Sequence, residues 1–512
     1  MERSRSEYSF LNIVTGFGGF FLNTLVGYIC RMVFVRCLPP TYLGINGLFS
    51  NIVSMLSLAE LGIGGAIGFA LYKPLAEHDQ EKVKTLMNYF KTAYVAIAVI
   101  ITIFGLVLIP LLPIIINDPP NIPENLYVIY LFFLFNTASS YLFSYKSILL
   151  TASQRNYIVL GVNYFFTIVQ STLQIFFLLV TKNYMIYLTI QIVSVFINNL
   201  VVSKIAQKKF PYLSDEQVVP LDKSEKRGLF INVKALMIDK LATILVNNTD
   251  NIVMTYFDGI VSVGLISNYT LLVNTLSSLT TQLFAGITAS VGNLTSIENV
   301  KKQYSFFRTL NLANFWIFSW GAIGIAFVSN DLVCLCFGGN YVVDSIIPAL
   351  LAINFYILGM QTSIYTYKNA KGLFRYSQYI LLFTAALNLI LDILLGRNFG
   401  IVGIILATII SRLLTNAWFE PFAVYRYGFK KNPLIYLRIY LNYLVVLLIT
   451  AFVCYEVCSM CSFSPFINVI TKAVICTIIP NSFYILLYRN TREGRELLSI
   501  LRRVLKMVKR AN

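Results

Sequence analysis

Charge and histidine are what this sequence is short of. Only 12% of its 512 residues are Asp, Glu, Lys or Arg, about half the roughly 25% of soluble domains, which excludes a water-exposed globular surface for most of the chain. The one histidine, His78, lies in a charged stretch with no second His and no Cys beside it, so no zinc site is expected. The eight cysteines give no metal framework either. Cys334 and Cys336 are two apart, while Cys454, Cys458 and Cys461 cluster near one apolar stretch. They read as small apolar fillers, with an outer-face disulfide as the alternative. No G-x-x-x-x-G-K-S/T phosphate loop occurs, and no polar segment is long enough for a nucleotide-binding domain, so ATP coupling within the chain is not expected. Paired loop carboxylates, a Ser and His pair and a metal cluster are also missing. Transport is expected rather than catalysis, with no cofactor.

What the chain has instead is apolar length: 57% of residues are hydrophobic and the mean hydropathy is +0.71. Stretches of about 20 apolar residues cross a bilayer as helices, and about fourteen are present. Six occupy 8–35, 43–71, 86–116, 126–150, 157–180 and 184–203. Six more occupy 229–257, 263–289, 306–329, 346–367, 376–395 and 401–424, and a last pair 434–457 and 466–488. The expected fold is therefore an all-α polytopic membrane protein. Of the 40 Lys and Arg, 33 fall on alternate connections, and only Arg36, Lys182 and Arg397 fall on the opposite ones. The positive-inside rule then puts both termini in the cytoplasm. The net charge of +17 reads as a topology signal and not as a nucleic-acid footprint. The first apolar stretch is too long for a signal-peptide core and reads as a retained helix.

The longest polar break divides twelve spans into six and six. The expected divisions are 1–210, a linker at 211–228, 229–430, an appended pair at 431–490 and a basic amphipathic tail at 491–512. Sliding one half by 220 residues places Gly44 on Gly264, Ile67 on Ile287, and Asp79 to Lys82 on Asn299 to Lys302. A repeat of this kind implies two six-helix lobes around a central path. In the tail, Leu497, Leu498, Leu501, Val504, Leu505 and Val508 recur at helical spacing with Arg and Lys on the other faces. That suits a helix lying on an anionic membrane surface, the alternative being a solvated tail.

Charges inside spans mark the candidate substrate cavity, because each costs about 2.5–3.5 kcal/mol to insert and faces protein or water. Arg31 shares a face with Thr24 and Gly27, and Glu60 precedes the run Leu61-Gly62-Ile63-Gly64-Gly65. Asp239, Lys240 and Asp250 lie in one span, the two aspartates on one face about three turns apart with Thr243 and Asn247 between them. Arg412 lies near the middle of the twelfth span, with Asp392 and Lys472 shallower. Lys240 either neutralises Asp239 or snorkels inward. The 220-residue shift maps Asp250 onto Cys30, one position from Arg31. Asp250 is expected either to gate a substrate site at Arg31 or to form a permanent ion pair with it. Among 32 Tyr and 39 Phe, Tyr141, Tyr145, Tyr164, Tyr269 and Tyr365 fall within spans and either face sugars or pack.

Residues Tyr42 to Tyr94 read YLGINGLFSNIVSMLSLAELGIGGAIGFALYKPLAEHDQEKVKTLMNYFKTAY. This block resembles the polysaccharide-transport branch of the multidrug/oligosaccharidyl-lipid/polysaccharide exporter superfamily, which includes Wzx-type flippases. It carries the likeness in Tyr42-Leu43-Gly44, in LSLAELGIG at 56–64 and in LYKPLA at 71–76. The resemblance implies a V-shaped, two-lobed transporter moving an undecaprenyl-pyrophosphate-linked oligosaccharide across a bacterial inner membrane. Expected partners are this substrate, membrane lipids, and a polymerase and glycosyltransferases of one pathway for O-antigen, capsule or exopolysaccharide. Family members are thought to meet the pyrophosphate with lumen cations, for which Arg31 and Arg412 are the positions here. Glu60 lies in the matching block, with either a structural or a proton-linked role. A drug/cation antiporter and a lipid II flippase are the alternatives.

Overall fold

The computed structural model describes residues 5–60, 63–116, 120–214, 241, 244–245, 248–376, 379–461 and 463–511. Every regular element among them is helical. Eleven of these helices are long and apolar enough to cross a membrane. The chain divides into two compact units, Met1–Gly264 and Leu265–Asn512.

Unit 1 contains α1 (Arg5–Cys37), α2 (Pro40–Leu56), α3 (Ile63–Ala76) and α4 (Gln80–Leu108), followed by α5 (Leu126–Ala152), α6 (Asn156–Thr181) and α7 (Tyr184–Lys209). Helix α1 packs along α6, α5 packs on α4 and α7, and α2 and α3 lie against α4 and α5. Asp79, Asn125 and Asn183 start α4, α5 and α7 by accepting backbone amides of Lys82, Tyr127 and Ile186 at 2.9, 2.9 and 3.1 Å. Phe49 sits edge-on to Tyr130 and Phe133 at 5.5 and 5.9 Å, and the Tyr130 hydroxyl donates to Gly105 O at 2.9 Å. This aromatic node fixes how α2 and α5 meet.

The second expected span, 43–71, is not one helix. α2 ends at Leu56, a 3-10 turn covers Ser57–Glu60, and α3 begins at Ile63. The helix is already broken at Glu60, whose carboxylate needs polar partners inside a span.

Unit 2 contains α8 (Ile260–Ile297, its first turn assigned to unit 1), α9 (Val300–Phe337), α10 (Ile346–Met360), α11 (Thr362–Ala370), α12 (Ile380–Leu414) and α13 (Asn416–Ala423). A π-helical turn, Val424–Phe429, leads to α14 (Leu434–Ser459), α15 (Pro465–Tyr488) and α16 (Arg492–Ala511). Helix α9 is the hub, with α10, α14, α15 and α16 packed on it. Phe315 stacks on Tyr443 at 4.4 Å, and Phe307 meets Tyr367, Tyr425 and Phe429 at 5.1–5.7 Å. Much of the high aromatic content is thus core. α12 reverses at Gly400, whose φ of 55° suits glycine. A Cβ on Gly403 would lie 2.1 Å from Leu395 O, so the two arms touch backbone to backbone. They correspond to the separately expected spans 376–395 and 401–424.

Two local devices recur at the 220-residue shift. Asn299 caps α9 by accepting from the Lys302 amide at 3.0 Å, as Asp79 does for α4 with Lys82. Gly44 and Gly264, superposed by the same shift, face each other in unit 1: a Cβ on Gly264 would lie 2.9 Å from Gly44 N.

The tail is helical from Arg492, and its start is tied to α9 by Arg308 with Glu493 at 2.9 Å and by Thr309 donating to Glu496 at 2.6 Å. All eight cysteines are free, and Cys454, Cys458 and Cys476 fill one apolar pocket with Ile323. Among the described residues no group of three His, Cys, Asp or Glu is placed to hold a metal.

Candidate functional site

In unit 1 the polar interior centres on Glu60. The Tyr94 hydroxyl of α4 donates to its Oε1 at 3.1 Å and the Tyr141 hydroxyl of α5 to its Oε2 at 3.0 Å. Gly64, one turn further on, has no room for a side chain: a Cβ there would lie 2.9 Å from the Tyr94 hydroxyl and 3.0 Å from Glu60 Oε1. The motif's spacing therefore has a physical basis. The acid accepts from two phenols on two helices, and the glycine lets them approach.

Arg31 is half-buried on α1, beside Cys30 and close enough to the Tyr187 hydroxyl to act on it electrostatically. Gln174 ties the same region together by accepting from Cys30 Sγ at 3.7 Å and donating to Tyr187 O at 3.1 Å. Asp250 is half-buried in the helical residues 248–258. Asp239 and Lys240, with Thr243 and Asn247, lie outside the described residues.

Arg412 belongs to a buried polar seam in unit 2. It is 4% exposed and donates from Nη1 to Asn354 Oδ1, linking the second arm of α12 to α10. Along the same hairpin Asn388 donates to Asp392 Oδ1 at 3.1 Å and to Thr408 Oγ1 at 3.4 Å, and Thr384 and Thr415 share a hydrogen bond at 2.7 Å. Asp392 is fully buried. Its carboxylate, the Asn388 amide and the Thr408 hydroxyl present oxygen donors, the type that hard cations take.

One buried charge pair was not singled out by sequence. Lys368, counted among loop cations, is paired with Glu420 at 2.7 Å, the side chains being 6% and 0% exposed. Glu420 is an acid inside the expected twelfth span, so the signal was present, but its partner lies 52 residues away on another helix. Lys371, just beyond α11, donates to Gln303 Oε1 and to Gly428 O, and burial pushes its ammonium pKa down.

The tyrosines considered for sugar contact have structural partners. Tyr141 serves Glu60, Tyr145 packs on Tyr94, and Tyr164 donates to Gly16 O. Tyr269 donates to Asn330 at 2.6 Å, and Tyr365 lies under the Lys368 ammonium.

No described protein family matches the chain, and no curated protein matches it in sequence. Solved structures do match in fold. The lipid II flippase MurJ, in an inward closed conformation, aligns over 93% of this chain and 99% of its own, with a TM-score of 0.66 and 16% identity. A multidrug resistance MATE family transporter of the MOP superfamily, inward-facing, aligns over 78% and 94%, with a TM-score of 0.55 and 13% identity. At these identities the likeness is one of fold: the chain is an all-helical, multi-pass membrane protein built on the fold of MOP-type transporters.

Proposed function

We propose that this protein is a flippase that translocates an undecaprenyl-pyrophosphate-linked oligosaccharide across the bacterial inner membrane by alternating access, both of its termini being cytoplasmic. The product serves assembly of a surface polysaccharide, with glycosyltransferases upstream and a polymerase downstream. The observation that carries this function is the fold likeness over 93% of the chain to the lipid II flippase MurJ. The block around Glu60, with its resemblance to oligosaccharide flippases, selects the substrate class. A diphosphate and several sugars do not cross hydrocarbon unaided, so such a protein must offer fixed polar and cationic groups within the membrane. In this proposal Arg31 and Arg412 are cations of the transport path, each in its own unit, Asp250 holds the Arg31 side chain or closes the outer gate when substrate is absent, Lys240 neutralises Asp239 or snorkels inward, and Glu60 anchors the broken helix.

Deleting the gene tests it. Surface polysaccharide should disappear and lipid-linked repeat units should accumulate in the inner leaflet, both reversed by the plasmid-borne gene. Normal polymer after deletion, in a strain with no second flippase, would overturn the proposal. The MurJ likeness supports a lipid II flippase as the alternative reading, and rescue of cells depleted of their own lipid II flippase would select it instead. Drug sensitivity as the sole phenotype would select the antiporter.

A further inference from the structure

Between Glu420 and Glu456 the sequence has four cations, Arg426, Lys430, Lys431 and Arg438, and no acid. In unit 2 this stretch borders an apolar cleft. The chain leaves α13 through the π-helical turn Val424–Phe429, and Lys430 takes the left-handed conformation with φ of 54°. Asn432 then accepts the Leu434 amide at 2.9 Å and steers the start of α14. A cleft of about 250 Å³ remains between the end of α12, α13 and the first turns of α14. Leu413, Ala417, Trp418 and Phe422 line one side, and Leu434, Leu437 and Tyr440 the other.

The Trp418 indole N–H is taken up by Leu414 O at 2.7 Å, so its ring adds apolar surface to the lining. Trp418 and Leu434 are 52% and 66% exposed, and both lie in segments long and apolar enough to span a bilayer, so the cleft opens on hydrocarbon. Sites for drug-sized ligands are larger, about 300–1,000 Å³, and carry several placed polar groups. This one has the size and lining for a length of hydrocarbon chain. Arg438 lies one turn beyond Leu434 on α14. It is exposed and makes no hydrogen bond or ion pair with any described residue. A guanidinium one turn inside a span reaches back along its own stem to the level of lipid phosphates. Arg426 and Lys430 are exposed on the connecting turn, whereas Lys431 lies over the Tyr304 ring at 4.6 Å. No carboxylate lines the cleft, and Glu420 on α13 is held by Lys368. Exposed cations beside an apolar cleft without an acid complement a lipid that joins an acyl chain to a net negative headgroup.

We infer that this cleft holds an acyl chain of an anionic phospholipid from the adjoining leaflet, with Arg438 on its phosphate and Arg426 and Lys430 adding to the attracting field. Such a lipid binds whatever the protein transports and whichever face is cytoplasmic.

The full chain is reconstituted into phosphatidylcholine vesicles in which acyl-brominated phosphatidylglycerol or acyl-brominated phosphatidylcholine is raised stepwise at constant salt, and tryptophan fluorescence is followed. Trp418 lines the cleft, and the quenching that disappears in Trp418→Phe is its own. Half-maximal quenching of Trp418 is expected at about fivefold less phosphatidylglycerol than phosphatidylcholine, as for one charge contact at a membrane surface. Arg438→Gln should remove that difference. Ala417→Phe should remove it too, because the ring fills the cleft and leaves the cations in place. Equal quenching by the two lipids, or a preference that survives either variant, overturns the inference. So does stronger reversal of the quenching by undecaprenyl phosphate than by unbrominated phosphatidylglycerol, which would give the cleft to a transported lipid. Quenching that falls as the protein-to-lipid ratio rises would give it to a second copy of the chain and overturn the inference as well. Arg438 is exposed, so its variant keeps the test valid where Ala417→Phe fails to fold.

Discussion

Breaking the Lys368–Glu420 pair should destabilise unit 2 more than any other single charge change. The two groups lie 2.7 Å apart, one 6% and one 0% exposed, on α11 and α13. Removing either leaves the other charge buried without its counter-ion, an effect of about 3–5 kcal/mol. Glu420→Gln keeps the volume and isolates the charge term, and Lys368→Met does the same from the other side. The double variant Lys368→Met/Glu420→Leu removes both charges and both desolvation penalties, so it should recover to within about 1 kcal/mol of the parent or exceed it. All three tryptophans, Trp316, Trp320 and Trp418, belong to unit 2, so their fluorescence during unfolding in detergent reports on this unit directly. Single variants within about 1 kcal/mol of the parent, or a double variant no better than the singles, would refute the buried-pair account.

At Glu60, alanine removes the acceptor for both Tyr94 and Tyr141, at roughly 1.5–3 kcal/mol for each charge-assisted bond. Tyr94→Phe and Tyr141→Phe should each show about one such loss, read as shifts in the unfolding midpoint, and a fully stable Glu60→Ala would contradict the geometry. A Cβ on Gly44 would lie 1.8 Å from the Ile260 carbonyl oxygen, which is backbone and cannot swing away. Gly44→Ala should therefore destabilise unit 1 by about 1–3 kcal/mol. Gly27→Ala, with nothing within 4 Å, should be neutral or gain up to about 1 kcal/mol, and equal effects at the two sites would count against close helix contact. Arg412→Lys keeps the charge but loses the planar fork that reaches Asn354. Flipping of a fluorescent lipid-linked oligosaccharide in proteoliposomes should fall about ten- to hundredfold, as for one charged hydrogen bond, and an unchanged rate would remove Arg412 from the path.

Elements were more legible than pairings, and the reason is physical. Apolar length writes each helix locally, and a join between 395 and 401 was readable because a bilayer sets the length of each span. The caps at Asp79 and Asn299 were also local, three residues from the amides they serve. Glu60 stood out because a carboxylate in an apolar run is expensive, but its two phenols lie 34 and 81 residues away, on helices whose rotation no single sequence states. Lys368 shows the converse. One residue past the end of the expected span 346–367, it had the sequence signature of a solvated loop cation. It is buried because α11 and α13 come together around Glu420. A buried acid within a span predicts polar partners with more force than a cation at a span's edge predicts exposure, whether the partner is a cation, as at Glu420, or a neutral donor, as at Glu60 and Asp392. By that rule Glu420 was the residue from which the pair should have been sought. Asp392 was the one from which the Asn388 and Thr408 seam should have been sought.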